Sequence, residues 1–232
     1  RSVIWRVGLD YRVKIINSNE GGQVAQRAFG IKLALTKFLL LMDDDISVSS
    51  DVILNMYNFC LNKENAAVAP VLCDNETGLP RVIGISPQKR FLYRYVFGLR
   101  NSGSFNSATI ALSFVPDSDM KPQKVDWLPG GVSMSLTKNA ISYNYFTGIP
   151  GKAFSEDILM SFLRTKQNQV EHYILPDNFA FTDFPKHRYS LNVALRNFIT
   201  RYKVAKIMGA NTIFAFSVLS VETLLMYILQ KK

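Results

Sequence analysis

Apolar residues along this chain fall in short blocks whose spacing alternates between that of a strand and that of a helix. Residues 13–16 form a first short apolar strand, followed by a polar loop over 17–22. Residues 23–37 read as a helix, with Val24, Phe29, Ile31, Leu33 and Leu35 among good helix formers. Phe38-Leu39-Leu40-Leu41-Met42 is an apolar block of strand length. Ser49 or Ser50 then caps a helix whose apolar positions Val52, Ile53, Met56, Tyr57 and Cys60 recur at helical spacing. Residues 66–72 are another apolar strand. This β-α-β-α-β alternation predicts an α/β fold, a Rossmann-like, mostly parallel sheet flanked by helices.

From 74 to 124 the pattern dissolves into Gly, Pro, Ser, Asn and aromatics, with a basic-aromatic patch over 89–95. It returns over 125–136. There Pro129, Gly130 and Gly131 cannot sit in a central strand, so a kink is expected where backbone meets a ligand. Ser155 precedes a helix over 156–166, and 172–175 is a late strand.

The last forty residues differ in character. Leu191, Leu195, Phe198, Tyr202 and Ala205 share one helical face, while Arg196, Arg201, Lys203 and Lys206 supply a basic one. That pattern suits a membrane surface as well as internal packing. Residues 213–229 are apolar but interrupted by Ser217, Ser220, Glu222 and Thr223. The segment is shorter than the ~20 residues of a bilayer span, and a mid-segment acid costs about 2.5–3.5 kcal/mol on insertion scales. It reads as an interfacial or bundle-packed helix outside the sheet, with an ordinary buried C-terminal helix as the alternative. The expected organisation is a core over 1–189 and basic amphipathic and hydrophobic helices over 190–232.

Composition narrows the partners. With 232 residues, 48% hydrophobic and 19% charged, the chain can bury a full core. Its net charge of +9 points to an anionic partner: nucleic acid, anionic lipid or a phosphorylated substrate. The basic residues are dispersed and no helix-turn-helix, zinc or RNA-recognition motif is present, which argues against nucleic acid. Two cysteines, Cys60 and Cys73, make no disulfide framework and suit a reducing compartment.

The candidate chemistry begins where the apolar block 38–42 meets Asp43-Asp44-Asp45. A strand that ends in acids puts them at the carboxyl edge of the sheet, where open α/β sheets bind ligands. Three adjacent carboxylates repel one another, and a hard divalent cation carrying phosphates offsets that repulsion. In an extended segment Asp43 and Asp45 share a side and Asp44 points away. The alternative is a solvated acidic turn capping the next helix. A second acidic pair, Glu156-Asp157, opens a helix after the Gly-rich stretch 148–152, where the helix dipole also favours carboxylates.

In this order the motifs resemble family 2 glycosyltransferases of the GT-A fold, over about residues 12–203. Asn19-Glu20-Gly21-Gly22 with Arg27 and Gly30 resembles the family's Asn-x-Gly-Gly loop and Ala-Arg-Asn-x-Gly helix, with Ala28 in place of the usual Asn. Asp43–Asp45 resembles its Asp-x-Asp strand. Trp127-Leu128-Pro129-Gly130-Gly131 resembles the acceptor-side Gly-Gly strand. Ser155-Glu156-Asp157 with Ser161 and Arg164 resembles the Glu-Asp helix and its Ser-x-Arg tail.

The resemblance implies a nucleotide-sugar donor, Mn²⁺ or Mg²⁺, and inverting transfer to an acceptor hydroxyl on a glycan or lipid-linked acceptor. It implies metal ligation by Asp43 and Asp45, completed by His187 or by Asp183. Donor contacts would come from Asp43, Asp44, Arg27, Gly21 and Gly22, and acceptor contacts from Trp127, Gly130 and Gly131. Asp157 would be the base, with Glu156 beside it. The resemblance is to the bacterial cell-surface polysaccharide type. It implies a first strand upstream of the 13–16 strand, so a truncated chain is expected, peripheral on the cytoplasmic face of a membrane. Metal-dependent nucleotidyl or phosphoryl transfer is the competing enzymatic reading. A basic membrane- or nucleic-acid-binding module is the non-enzymatic one.

Overall fold

The computed structural model describes residues 14, 16, 21–80, 93–95, 97–99, 101–114, 121–147, 155–183 and 190–229. Its axis is β3 (Ala66–Asp74), buried along its first eight residues. Of the predicted 13–16 strand only Lys14 and Ile16 are described, and both are exposed and lie in no strand.

The remaining strands are β1 (Phe38–Met42), β2 (Ile46–Val48), β4 (Gln123–Val125), β5 (Val132–Leu136) and β6 (Glu171–Thr182). They order as β1-β5-β3-β6-β2, and β4 also pairs with β6. β3 and β6 run parallel; β1 with β5, β3 with β5, β2 with β6 and β4 with β6 run antiparallel. The fold is α/β as expected, but the mostly parallel character expected of the sheet is confined, among the described strands, to that one pair. Periodicity marks a strand as half-buried or fully buried and carries no direction. The late strand is also longer than expected, because β6 serves β3 on one side and both β4 and β2 on the other. Register between β3 and β6 jumps after Pro70–Leu175 to Val71–Phe179, where Pro176 interrupts the ladder.

Side chains alternate across β3. Val68 and Leu72 face a core with Val52, Met56 and Cys60 of helix α2 (Ser50–Asn62), while Ala67, Ala69, Val71 and Cys73 face Val125, Leu128, Val170 and Ile174. Met56 and Cys60 are fully buried. Burial of a methionine of this kind contributes roughly 1.5–3 kcal/mol. As the sequence indicates, Ser49 caps α2, its Oγ accepting from Val52 N at 3.4 Å.

Helix α1 (Gln23–Leu33) presents Val24, Ala25, Ala28 and Ile31 inward. It ends four residues before Lys37, and Leu35 is 99% exposed. The chain turns extended at Ala34 to reach β1, with Thr36 Oγ1 donating to Phe38 O at 2.8 Å. Helix α3 (Glu156–Asn168) buries Leu159 and Leu163 against Val24, Ile141, Phe146 and Val204.

Outside the sheet, α4 (Leu191–Ile207) and α5 (Thr212–Leu229) form a helical hairpin. They meet through Ala205 and Ala215, which pack with Ala108 and let the backbones approach. Leu219 packs with Tyr93, Phe97, Leu99 and Ile110. No helix among the described residues is long and apolar enough to cross a membrane.

The inward face of α4 differs from the one the sequence suggested. Ala194, Val204 and Ala205 are buried, whereas Leu191 and Leu195 are about half exposed. Arg201 leaves the basic face altogether and turns inward to Glu222.

Candidate active site

β1 delivers the acids to the sheet edge, but the chain does not stay extended through them. The strand stops at Met42, Asp43 N donates to Gly131 O at 2.8 Å, and Ile46 N closes a turn on Asp43 O at 3.3 Å. Asp43, Asp44 and Asp45 therefore line one cleft of about 510 Å³, together with Gln23, Gln26, Arg27 and Met42. The expected alternation, with Asp44 pointing away, gives way to this turn.

Arg27 is the hub of the site. It projects from α1, and its Nη2 lies 2.5 Å from Asp43 Oδ1 and donates to Gly130 O at 2.9 Å. Its Nη1 donates to Glu156 Oε1. Burial opposes the charge, but Glu156 and Asp43 outweigh it and raise the guanidinium above its ordinary range. One side chain thus ties together α1, the acidic strand end, the Gly-Gly segment and the Glu-Asp helix.

Glu156 is 5% exposed and also accepts from Tyr145 Oη at 3.1 Å. Burial, and then the Glu156 carboxylate, hold the Tyr145 phenol well above its ordinary range. It stays a neutral donor. Behind this pair lies Arg164, 1% exposed, whose Nε and Nη1 have no hydrogen-bond partner in the structure. Burial pulls its guanidinium down, while Tyr145 and Glu156 favour its charge. Ser161 Oγ accepts from Leu128 N at 3.1 Å and pins the Gly-Gly segment to α3.

Asp157 is half-buried in the first turn of α3, and its Oδ1 accepts from Ile158 N at 2.9 Å. It borders Gly130. A Cβ built on Gly130 would lie 2.8 Å from Glu156 Oε1 and 3.4 Å from Asp157 Cβ, so any side chain here would have to displace the carboxylate that Arg27 and Tyr145 hold. Gly131 packs over Ile46 and Leu72. Trp127 is 7% exposed, with its indole N–H directed to Leu112 O at 3.3 Å. It sits in the core and supports the Gly-Gly segment from beneath. Gly21 and Gly22 are exposed at the start of α1, where Gly22 takes φ 104°.

Asp183 is exposed and accepts from Asn75 Nδ2 at 2.8 Å. His187, like Asn19 and Glu20, lies outside the described residues. Among the described residues no three His, Cys, Asp or Glu side chains converge on one point. The donor set still suits a hard cation. Asp44 and Asp45 are exposed carboxylates on the cleft, and Mg²⁺ or Mn²⁺ keeps several sites for water and substrate phosphate.

Sequence reasoning missed Tyr145, Gln23 and Gln26. Tyr145 lies eleven residues before Glu156 in an aromatic stretch that has no helical or strand period. Only the fold brings it to the carboxylate.

The fold is that of the GT-A class. Residues 5–115 match the family model described as glycosyl transferase family 2. Among solved structures it resembles a chain described as GalNAc-T7 with UDP, GalNAc and Mn²⁺, at a TM-score of 0.55 and 10% identity. That likeness covers 89% of this chain and 41% of the other, so the present chain spans under half the length of that relative. No curated protein matches the chain significantly.

Proposed function

We propose that this chain transfers a sugar from a nucleotide-sugar donor to a hydroxyl of a glycan or lipid-linked acceptor, with inversion at the anomeric carbon. The observation that carries the reading is the Arg27 hub. It ties the acidic strand end, the Gly-Gly segment and the Glu-Asp helix into one hydrogen-bonded unit beside the cleft that Asp43, Asp44 and Asp45 line.

Asp45 and Asp43, with Asp44 beside them, would hold Mn²⁺ or Mg²⁺ on the donor diphosphate. When bound, the metal supplies positive charge to the leaving group. Arg27 fixes the Asp43 carboxylate, so the donor-side acids meet the phosphates already oriented. The acceptor hydroxyl oxygen attacks the anomeric carbon opposite the diphosphate, the bond to the phosphate oxygen breaks, and Asp157 takes the hydroxyl proton. Glu156, engaged by Arg27 and Tyr145, is the positioning partner and not the base. Gly130, lacking a Cβ, lets the Glu156 carboxylate and the start of α3 close against the Gly-Gly segment, which sets Asp157 beside it. Nucleotidyl transfer gives no role to this Gly130–Asp157 neighbourhood and is the weaker reading. The acceptor end lies at a membrane surface, on the cytoplasmic side, as the basic C-terminal helices suggest.

The test is donor turnover by the full-length protein with sugar nucleotides against plain nucleoside triphosphates, with and without Mn²⁺. Metal-dependent release of nucleoside diphosphate from sugar nucleotides alone supports the reading. Pyrophosphate release from triphosphates would replace it. Asp45→Ala should abolish Mn²⁺-dependent donor binding and leave the circular dichroism spectrum unchanged.

A further inference from the structure

The hairpin of α4 and α5 contains a single acid, Glu222, set in the middle of the apolar helix α5. That acid does not face outward. It is 6% exposed, paired with Arg201 and hydrogen-bonded by Tyr93 Oη at 3.0 Å. Arg201 in turn donates through Nη2 to Thr109 O at 2.9 Å. The one charge that would oppose contact with lipid is therefore neutralised inside the protein.

The outer side of the hairpin carries the opposite character. At its turn, around residues 208–211, Ile207 is 46%, Ile213 77% and Phe214 47% exposed. Lys206 is exposed beside Ile207 at this end, and Leu195, Arg196 and Ile199 are exposed farther along α4. Protruding aliphatic and aromatic side chains next to cations, with no outward acid among the described residues of the hairpin, match an anionic bilayer interface. An acidic protein surface would match the cations and leave Ile213 and Phe214 unused.

We propose that the turn end of the α4–α5 hairpin is an insertion tip for anionic membrane surfaces, with Ile207, Ile213 and Phe214 entering the headgroup–acyl boundary and Lys206 meeting lipid phosphate. This rests on the membrane placement proposed above and names the device and the lipid class. It is a shallow interfacial contact and requires no span.

The experiment is flotation of the full chain with phosphatidylglycerol-containing against pure phosphatidylcholine vesicles, followed by Phe214→Trp fluorescence with brominated lipids. Binding should be at least tenfold stronger to the anionic vesicles and weaken in high salt. Trp at 214 should be quenched by lipids brominated near the headgroup end of the chain. Ile213→Ser with Phe214→Ser should abolish binding, and Lys206→Glu should cut it about fivefold or more. All replace exposed side chains, so circular dichroism should not change. No flotation, equal binding to neutral vesicles, or an unquenched Trp would overturn the proposal. So would a dimer in sedimentation equilibrium that the Ile213/Phe214 variant dissociates, which would make the tip a self-association surface. Sugar-nucleotide turnover measured on the same preparation separates the two readings. Turnover without flotation removes only the tip, and flotation without turnover removes only the catalysis.

Discussion

Replacing Arg27 by Met should unsettle the protein by way of Glu156 far more than by way of Asp43. The Arg27 and Glu156 side chains are 15% and 7% exposed, so that pair is largely dry. Asp43 is 33% exposed and shares the same cation with water nearby. Breaking a buried pair by removing one partner costs about 3–5 kcal/mol, because the other charge is stranded. An ion pair with one partly solvated member contributes about 1 kcal/mol or less. Arg27→Met alone should therefore lower stability by about 3 kcal/mol. Glu156→Gln in the same background should recover about 2 kcal/mol of that, and Asp43→Asn about 0.5 kcal/mol. The assay is a pair of double-mutant cycles from urea unfolding followed by circular dichroism, accepting only variants whose denaturant slope matches the parent. A Glu156 coupling no larger than the Asp43 coupling would refute the claim that the dry arm of the hub dominates.

Gly130→Ala should fold but lose about a hundredfold in kcat/KM, since its Cβ would meet Glu156 Oε1 at 2.8 Å and small displacements at a reacting centre are costly; Glu156→Asp added to it should restore part of the loss. Asp157→Asn should reduce kcat by two to four orders of magnitude, as expected for a general base, with donor affinity within about twofold of the parent. His172 is 2% exposed, and burial, with Arg164 adding to it, depresses its imidazole to about 3. Its stabilisation is therefore complete above the unfolded value of about 6.5 and is lost as pH falls toward 3, roughly 2 kcal/mol by pH 5. His172→Gln should flatten the stability profile between pH 7 and 4. An unchanged slope in that variant would place the acid sensitivity elsewhere.

Much of this arrangement is legible in the chain because the relevant signals are local. The apolar block ending at Asp43, the Ser49 cap and the helix opening at Glu156 each follow from a few consecutive residues. Strand direction is not local, and the antiparallel pairing of β1 with β5 depends on a partner nearly a hundred residues away. The inward face of α4 departs from the expected one, which joined Leu191 and Leu195 to Phe198, Tyr202 and Ala205, for a different reason. Leu191, Leu195 and Ile199 form one apolar stripe, and Ala194, Phe198, Tyr202 and Ala205 form another. Periodicity alone cannot choose between them. The Arg201–Glu222 pair decides the rotation, and it joins two helices. Trp127 was expected at the acceptor because it adjoins the Gly-Gly pair. An indole at that position also fills volume, and here the Leu112 carbonyl receives its N–H. Arg27 was legible as a site residue, but its role as a joint was not, since its partners lie far away in sequence.

The same joint bears on how the protein acquires its site as the chain folds. Arg27 reaches partners 16, 103 and 129 positions away. The first contact closes a short loop, whereas the other two bring together distant parts of the chain. Pairings of such long range are entropically expensive to make early and are gained late. Helices α1 and α2 can form well before the site exists. Donor-binding competence therefore returns after helical signal during refolding, and a folding intermediate carrying much of the secondary structure would still have no assembled cleft.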